Sequence, residues 1–147
     1  MTPAVVPAGP GHAEALAMSM RASDVAELAK VGLSPLDGLE LSLARSQEAW
    51  TVMFGSEVAA MYGVSVSKAG SPDRVWCLTG TVVDRKPMSF WRESKAAVKR
   101  LAAKYPELCA LVDGEYAAAL RWAHRLGFKA RSTLDLRGSP FILVWRS

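Results

Sequence analysis

Residues 74–83, with the sequence Arg-Val-Trp-Cys-Leu-Thr-Gly-Thr-Val-Val, constrain the fold more than any other segment of the chain. They are rich in β-formers and largely apolar on both faces, whereas a strand with one solvated face alternates between apolar and polar residues. This pattern predicts a strand in the interior of a sheet. A chain of 147 residues buries about 70% of its unfolded surface on folding, so its core requires no metal or disulfide.

Two helices and a strand hairpin are predicted before this interior strand. Apolar residues recur at helical spacing over residues 12–31, and a second helix is expected to begin at Ser34. Residues 48–54 and 57–67 change to the period of a strand and enclose a short turn. The proline-rich residues before position 12 carry no predicted helix or strand.

A connection, a helix, a short strand, a second helix and a closing hairpin are predicted after the interior strand, over residues 84–88, 89–105, 108–112, 115–126 and 128–145. Ser89 is the expected N-cap of the first of these helices, and Gly127 is the expected C-cap of the second. No repeat, linker or low-complexity tract interrupts the order. We therefore predict one α/β (α+β) domain over residues 1–147, with a mixed central sheet flanked by helices.

Cysteine and histidine usage excludes two classes of site. Cys77 and Cys109 lie in apolar runs and lack Cys-x-x-Cys spacing, which predicts two buried, reduced thiols and no metal site of the usual zinc type. His12 and His124 lie in different segments, and no Gly-x-Ser-x-Gly motif is present. A Ser-His-Asp hydrolase is therefore not expected.

The N-terminal ten residues differ from a signal peptide, because they lack a basic flank and contain three prolines. No apolar run approaches the ~20 residues that a membrane-spanning helix needs. We therefore expect a soluble protein that stays inside the cell that makes it, with no membrane partner.

The net charge of +4 is unevenly distributed along the chain. Residues 1–70 contain four basic and seven acidic residues, a balance of −3, and residues 71–147 contain 14 basic and seven acidic residues, a balance of +7. Between positions 85 and 104 only Glu93 opposes seven cations, which are Arg85, Lys86, Arg92, Lys95, Lys99, Arg100 and Lys104. An anionic ligand or an acidic protein surface is therefore expected here. Nucleic acid is the weaker expectation, because no recognised nucleic-acid-binding motif surrounds these residues.

The order of elements, with a helix that ends in Leu126-Gly127-Phe128 before a hairpin, resembles the GNAT family of N-acetyltransferases. The resemblance covers most of the chain and places the central strand, the pyrophosphate-binding loop, the helix after it, the splayed strand and the last helix at residues 75–83, 84–89, 90–105, 108–112 and 115–128. It implies acetyl-CoA as cofactor and transfer of an acetyl group to a primary amine.

The same resemblance implies a cofactor site in two segments. The backbone of Thr81, Val82 and Val83 would pair with the pantetheine, and the pyrophosphate would be held by Arg85, Lys86 and Ser89. In the family the loop is rich in glycine, so that backbone N–H groups and a helix N-terminus approach the phosphates. Here residues 83–91 contain no glycine and carry a proline and two bulky aromatic residues instead.

The positions that supply catalytic residues in the family also differ. The frequent tyrosine, four residues before the helix-ending glycine, is Ala123 in this chain, and the frequent asparagine near the helix start is Tyr116. Tyr116 is therefore the candidate proton donor, with Tyr105 as a second candidate. Glu57 is the candidate general base, with Asp113 as a second candidate.

A narrower resemblance involves residues 76–80, the basic helix after them, and the closing Arg-Leu-Gly-Phe of the last helix. These segments are similar to the small internal virion proteins of short-tailed bacteriophages (the internal virion protein A type), although Glu115-Tyr116 departs from a Gly-Asn found there. This resemblance implies a phage-encoded protein, made in the host cytoplasm and associated with other virion proteins, with absent or atypical acetyltransferase chemistry. An active acyl-CoA-dependent N-acyltransferase and a nucleic-acid-binding module are the alternatives.

Overall fold

The computed structural model describes residues 2–147, which form seven strands and six helices. In chain order these are β1 Ala4–Pro7, α1 His12–Ser19, α2 Ala22–Lys30, α3 Pro35–Ala44, β2 Ser46–Phe54, β3 Glu57–Ser65, β4 Asp73–Thr79, α4 Val82–Arg85, α5 Pro87–Lys104, β5 Leu108–Asp113, α6 Ala117–Arg125, β6 Lys129–Leu136 and β7 Ser139–Arg146.

The seven strands form one sheet in the order β1-β2-β3-β4-β5-β7-β6. All neighbouring strands are antiparallel except β4 and β5, which are parallel. Only two residue pairs, Asp73↔Leu108 and Arg74↔Cys109, join β4 to β5. The two strands therefore separate beyond Arg74 and leave an opening in the middle of the sheet. The predicted mixed sheet is confirmed, and β4 lies in its interior as expected.

Helices cover both faces of this sheet. The larger core cluster packs α5 and α6 onto one face through residues such as Phe90, Leu101 and Ala123. The second cluster packs α1, α2 and α3 onto the other face through residues such as Leu16 and Leu28. Burial of both faces explains why the sequence of β4 is apolar at consecutive positions.

The helix predicted over residues 12–31 is present as two helices, α1 and α2, and its predicted continuity is wrong because the chain leaves the helical conformation at Met20 and Arg21. Met20 forms an isolated antiparallel bridge with Gly80, and the Arg21 amide donates to the carbonyl of Thr79. Apolar side chains continue at helical spacing through this break, so periodicity alone did not reveal it. The break moves α2 towards the open edge of β4.

The predicted extension of the interior strand to Val83 is also wrong, since β4 ends at Thr79. The Thr81 amide donates to the carbonyl of Ser19, and the Val83 amide donates to the carbonyl of Gly80. These bonds close a turn that continues into the short helix α4. Thr81, Val82 and Val83 were expected to present an extended backbone, but they form the turn and the start of α4.

β1 and the start of α5 also differ from the predictions, whereas the predicted start of α3 is confirmed. β1 was missed, because its prolines are typical of a loop, yet Pro7 lies at the end of an edge strand where no ladder bond is lost. The N-cap of α5 is Lys86, with Pro87 at the first helical position, so Ser89 lies inside the first turn. Ser34 does cap α3, since its hydroxyl accepts from the Asp37 amide at 3.2 Å.

Candidate functional site

The opening between β4 and β5 forms a cleft of about 1420 Å³. Side chains from both strands and from α2, α5 and α6 line it, including Glu27, Cys77, Phe90, Tyr116 and Trp122. Both cysteines are free, as expected, but Cys77 is only partly buried. Burial raises the pKa of its thiol well above the ordinary value, which keeps the sulfur protonated.

The edge of β4 that faces the cleft is partly occupied by α2. The Thr79 amide donates to Asp24 at 2.8 Å, the Thr79 hydroxyl donates to the same carboxylate oxygen, and the Thr79 carbonyl accepts from Arg21. Because alternate residues of a strand present their backbone groups to the same edge, Cys77 also presents its amide and carbonyl to the cleft. Cys77, together with Val75 two residues before it, is therefore a position at which a ligand backbone could pair with β4.

Asp24 is an acid that the sequence did not single out. Its side chain is buried, with 5% of the residue exposed, and desolvation raises its pKa despite the two bonds from Thr79. A buried carboxyl is stable here because it accepts hydrogen bonds from the amide and the hydroxyl of Thr79, the last residue of β4. Its role is to attach α2 to the strand.

Glu27 lies one helical turn further along α2 and lines the same cleft. Its carboxylate accepts the amide of Asp113, at the end of β5, at 2.9 Å. Burial is the main cause that raises its pKa to about 7, and the nearby Asp24 and Asp113 raise it further. The sequence signal was present, since positions 24 and 27 border the apolar positions Val25 and Leu28 on α2.

Of the predicted catalytic residues, only Tyr116 lies in the cleft together with these acids. A hydrogen bond joins Tyr116 to Ser23, and burial raises the pKa of its hydroxyl. Asp113 is almost fully buried and accepts from Lys30 at 2.6 Å, which pairs it with a cation at the rim. Tyr105 donates to Glu48 away from the cleft, and Glu57 is exposed and pairs with Arg85.

The residues expected to hold a cofactor lie in the turn after β4, in α4 and in the first turn of α5. Thr81, Val82 and Val83 lie in the turn and in α4, so no extended segment exists there for pairing with pantetheine. Arg85 forms a salt bridge of 2.7 Å with Glu57, Lys86 is exposed at the start of α5, and Ser89 is half-buried in its first turn.

An aromatic pair closes the space between α5 and α6. The rings of Phe90 and Trp122 stack with their centroids 6.0 Å apart and an interplanar angle of 18°. The indole Nε1 of Trp122 is buried and has no hydrogen-bond partner within residues 2–147. The pair therefore links the two helices through apolar contact.

The structure divides the seven cations of residues 85–104 into two groups. Arg85, Arg100 and Lys104 form salt bridges with Glu57, Glu93 and Glu48. The remaining four, Lys86, Arg92, Lys95 and Lys99, are exposed and form no salt bridge with any carboxylate of residues 2–147.

Three further findings concern the residues that the structure describes. Among residues 2–147, no three His, Cys, Asp or Glu side chains are placed to hold a metal ion. Within the same range, none of the helices combines the length and the apolar character that crossing a bilayer requires. His12 is used structurally, since its Nδ1 accepts the Gly9 amide at 2.9 Å.

No family model and no curated protein sequence matches the chain. Solved structures do match it. AAC(6′)-Ib in complex with ribostamycin and coenzyme A superposes with a TM-score of 0.74 at 13% identity, covering 100% of this chain and 94% of that one. The ribosomal-protein-S18-alanine N-acetyltransferase from Escherichia coli gives 0.70 at 13%, covering 99% and 93%. A GNAT-family acetyltransferase from Bacillus anthracis gives 0.70 at 10%, also covering 99% and 93%.

At these identities the similarity establishes the fold alone. The chain has the GNAT fold over its whole described length, which confirms the fold that the sequence resemblance implied. One of the similar structures contains coenzyme A. The relation to phage virion proteins stays a prediction.

Proposed function

We propose that this protein is a phage-encoded, virion-associated member of the GNAT fold class that does not use acetyl-CoA in the usual manner of that fold. The occupied end of β4 is the observation that carries the proposal. Asp24 and Arg21 already bond the backbone of Thr79, which leaves Val75 and Cys77 as the positions of β4 beyond Arg74 that face the cleft and could still pair with a ligand.

The segment after β4 supports the same conclusion. A phosphate-binding loop requires several backbone N–H groups directed at one point. Here the amides of Thr81, Val83 and Asp84 bond to carbonyl oxygens within the turn or on α1. Pro87, the first residue of α5, has no N–H to offer. Acetyl-CoA would therefore have to rely on the side chains of Arg85 and Lys86.

The stacked pair of Phe90 and Trp122 is a further obstacle. It spans the space between α5 and α6 and belongs to the larger core cluster of the protein. A ligand that passed between these helices would have to separate the rings, at a cost of roughly 1 kcal/mol for the aromatic contact and more for the exposed apolar area.

Association with a virion rests on the sequence resemblance of residues 76–80 and 125–128 to internal virion proteins. Other virion proteins are then the proposed partners, and the host cytoplasm is the proposed site of synthesis. The occupied end of β4 and the lack of glycine in residues 83–91 agree with a structural role in such an assembly.

Isothermal titration with acetyl-CoA tests the proposal, with an active GNAT acetyltransferase as the positive control. We expect no saturable heat at ligand concentrations up to the millimolar range. A dissociation constant in the low micromolar range would overturn the proposal. Mass spectrometry of the native protein provides an independent check, because co-purified coenzyme A would have the same consequence.

An active acyl-CoA-dependent N-acyltransferase is the second candidate, and the pKa of about 7 at Glu27 favours it. An acyl-CoA in the cleft would supply a thioester. Glu27 would accept a proton from the attacking amine, a C–N bond would form as the C–S bond breaks, and Tyr116 would protonate the leaving thiolate. The backbone of Cys77 would pair with the pantetheine, and Arg85, Lys86 and Ser89 would contact the pyrophosphate.

Two variants test this second candidate. Arg85→Glu combined with Lys86→Glu should raise KM for acetyl-CoA, whereas Glu27→Gln should lower kcat and remove the acidic limb of the pH profile near pH 7. Glu40→Gln, an exposed acid on α3, is the matched control for Glu27. Unchanged KM in the first variant, or no turnover by the wild-type protein with any acyl-CoA, would reject this candidate.

A further inference from the structure

The outward surfaces of α5 and α6 carry exposed cations that do not line the cleft. There are five of these cations, and we call the surface they occupy the basic face: Arg92, Lys95, Lys99, Arg121 and Arg125. All five side chains are exposed. Both helices pack on the same face of the sheet, as the Phe90–Trp122 contact shows, so their outward surfaces point to the same side of the molecule.

The arrangement of charges on α5 follows from its helical spacing. Arg92, Lys95 and Lys99 are three and four residues apart, which places them on one stripe about 10 Å long. The salt-bridged residues Arg100 and Lys104 lie on the flank that faces β2 and β3, where they contact Tyr62 and Glu48. The acid that could neutralise the stripe, Glu93, is turned to the same flank and pairs with Arg100.

The basic face is free of acidic partners. None of its five cations forms a salt bridge within residues 2–147, and Glu93 is the one acidic residue in the sequences of α5 and α6. The ammonium group of Lys95 lies over the ring of Trp91, 5.5 Å from the ring centroid. This contact holds Lys95 at the surface and leaves its donors available to an external group.

A protein partner would require apolar residues at the centre of the contact, because stable protein interfaces have a desolvated apolar or aromatic core. Within residues 2–147 the large exposed apolar side chains are Met18, Leu41, Val66, Met88 and Leu134. Only Met88 lies on α5, at its N-terminal end, and none lies on α6. The basic face therefore has cations without an apolar centre.

We propose that the basic face binds the phosphate backbone of nucleic acid without reading its sequence. Long, unpaired Lys and Arg side chains release condensed counterions from phosphates, and this gain needs no apolar contact. Sequence-independent binding is expected because the five cations are directed outward from two helix surfaces rather than from one projecting recognition element. This inference concerns a surface outside the cleft and does not depend on whether acetyl-CoA binds.

Fluorescence anisotropy with a labelled 20-bp DNA duplex, measured from 50 to 300 mM NaCl, tests the proposal. Five phosphate contacts predict a slope of log Kobs against log salt of about −4.5. Arg92→Gln combined with Lys99→Gln should reduce the magnitude of the slope by about 2 and weaken binding at low salt. Both side chains are exposed and form no salt bridge with any carboxylate of residues 2–147, so we expect the substitutions to leave the fold intact.

The matched control is Arg45→Gln combined with Lys68→Gln, which also removes two exposed cations. Arg45 caps α3 on the opposite face of the sheet, and Lys68 lies in the loop before β4. We expect the control to retain the wild-type slope. The absence of DNA binding at 50 mM NaCl, or an equal loss in both double variants, would overturn the proposal. Poly-L-glutamate that displaced the labelled duplex as effectively as unlabelled DNA would also overturn the proposal, because the basic face would then bind any polyanion, including acidic protein.

Discussion

At Glu27, burial and hydrogen bonding act on the pKa of the side-chain carboxyl in opposite directions. It lies between α2 and the end of β5 and receives one backbone hydrogen bond from Asp113. That bond favours the ionised form, yet desolvation dominates and raises the pKa from 4.5 to about 7. Glu27 is therefore a proton acceptor near neutral pH and also a source of instability when it is ionised.

The sign of the resulting pH dependence follows from the two pKa values. Between pH 4.5 and about 7, the folded protein retains a proton on Glu27 that the unfolded chain has lost. The free energy of unfolding therefore decreases as pH rises through this window and is constant above it as far as this group is concerned.

Glu27→Gln should remove this component, because glutamine keeps an acceptor for the Asp113 amide and carries no charge. We expect the variant to be more stable than the wild type by roughly 2 kcal/mol at pH 8 and nearly equal to it at pH 4. Urea unfolding at the two pH values measures the difference. Glu40→Gln, in an exposed position on α3, is the control, and an equal gain in both variants would contradict the assignment.

At the scale of elements, one glycine determines how closely neighbouring strands and side chains approach. A Cβ at Gly63 in β3 would lie 2.6 Å from the carbonyl oxygen of Glu48 and 2.9 Å from the indole nitrogen of Trp76. That indole crosses β3 and donates to Ser46 on β2 at 2.7 Å. The absence of a side chain at Gly63 therefore allows a hydrogen bond across three strands.

Gly63→Ala should destabilise the protein by about 2 kcal/mol, because the backbone of β2 cannot move away without breaking the ladder. Thermal unfolding measures the loss, and the near-ultraviolet circular dichroism of Trp76 should change with it. Gly9→Ala is the control, since its added Cβ would meet its nearest neighbour at an ordinary 3.5 Å. A stable Gly63→Ala protein would show that β2 and β3 are less rigidly paired than the structure indicates.

Elements whose local pattern agreed with their tertiary environment could be predicted from the sequence. The interior position of β4, the helix α5 and the closing hairpin follow from periodicity and from turn residues. The break at Met20 could not, because it is caused by a bridge to Gly80, sixty positions along the chain. The coiled residues 81–83 were missed for the same reason, since a tertiary bond to Ser19 overrides their β propensity.

The candidate site was only partly accessible from the sequence. Tyr116 was identified because a family position pointed to it. Asp24 and Glu27 border apolar positions of α2 in the sequence, but assigning them to the site required knowledge of which helix crosses the cleft. Conversely, Arg85 stood out as an unopposed cation in the sequence, but the structure pairs it with the distant Glu57. Charge runs along the chain do not reveal partners supplied by other strands.

At the scale of the whole molecule, the weakest connection lies in the middle of the sheet. Strands β1–β4 and strands β5–β7 are joined through two residue pairs between β4 and β5. Helix α2 adds a second connection across the opening, since Lys30 contacts both carboxylate oxygens of Asp113 at 2.8 and 2.6 Å and Glu27 accepts the amide of the same residue. The two halves of the sheet therefore depend on α2 for part of their attachment.

Lys30→Met should loosen this connection while leaving each half of the sheet intact. The buried carboxylate of Asp113 would lose its cation, so α2 and the end of β5 should separate more often than in the wild type. Hydrogen–deuterium exchange should accelerate in residues 22–33 and 108–116, and exchange in β2 and β3 should remain slow. Arg85→Met is the control, because its salt bridge with Glu57 is exposed on both sides. Uniform acceleration in every strand would contradict the two-part organisation, because it would mean that the sheet opens only as one unit.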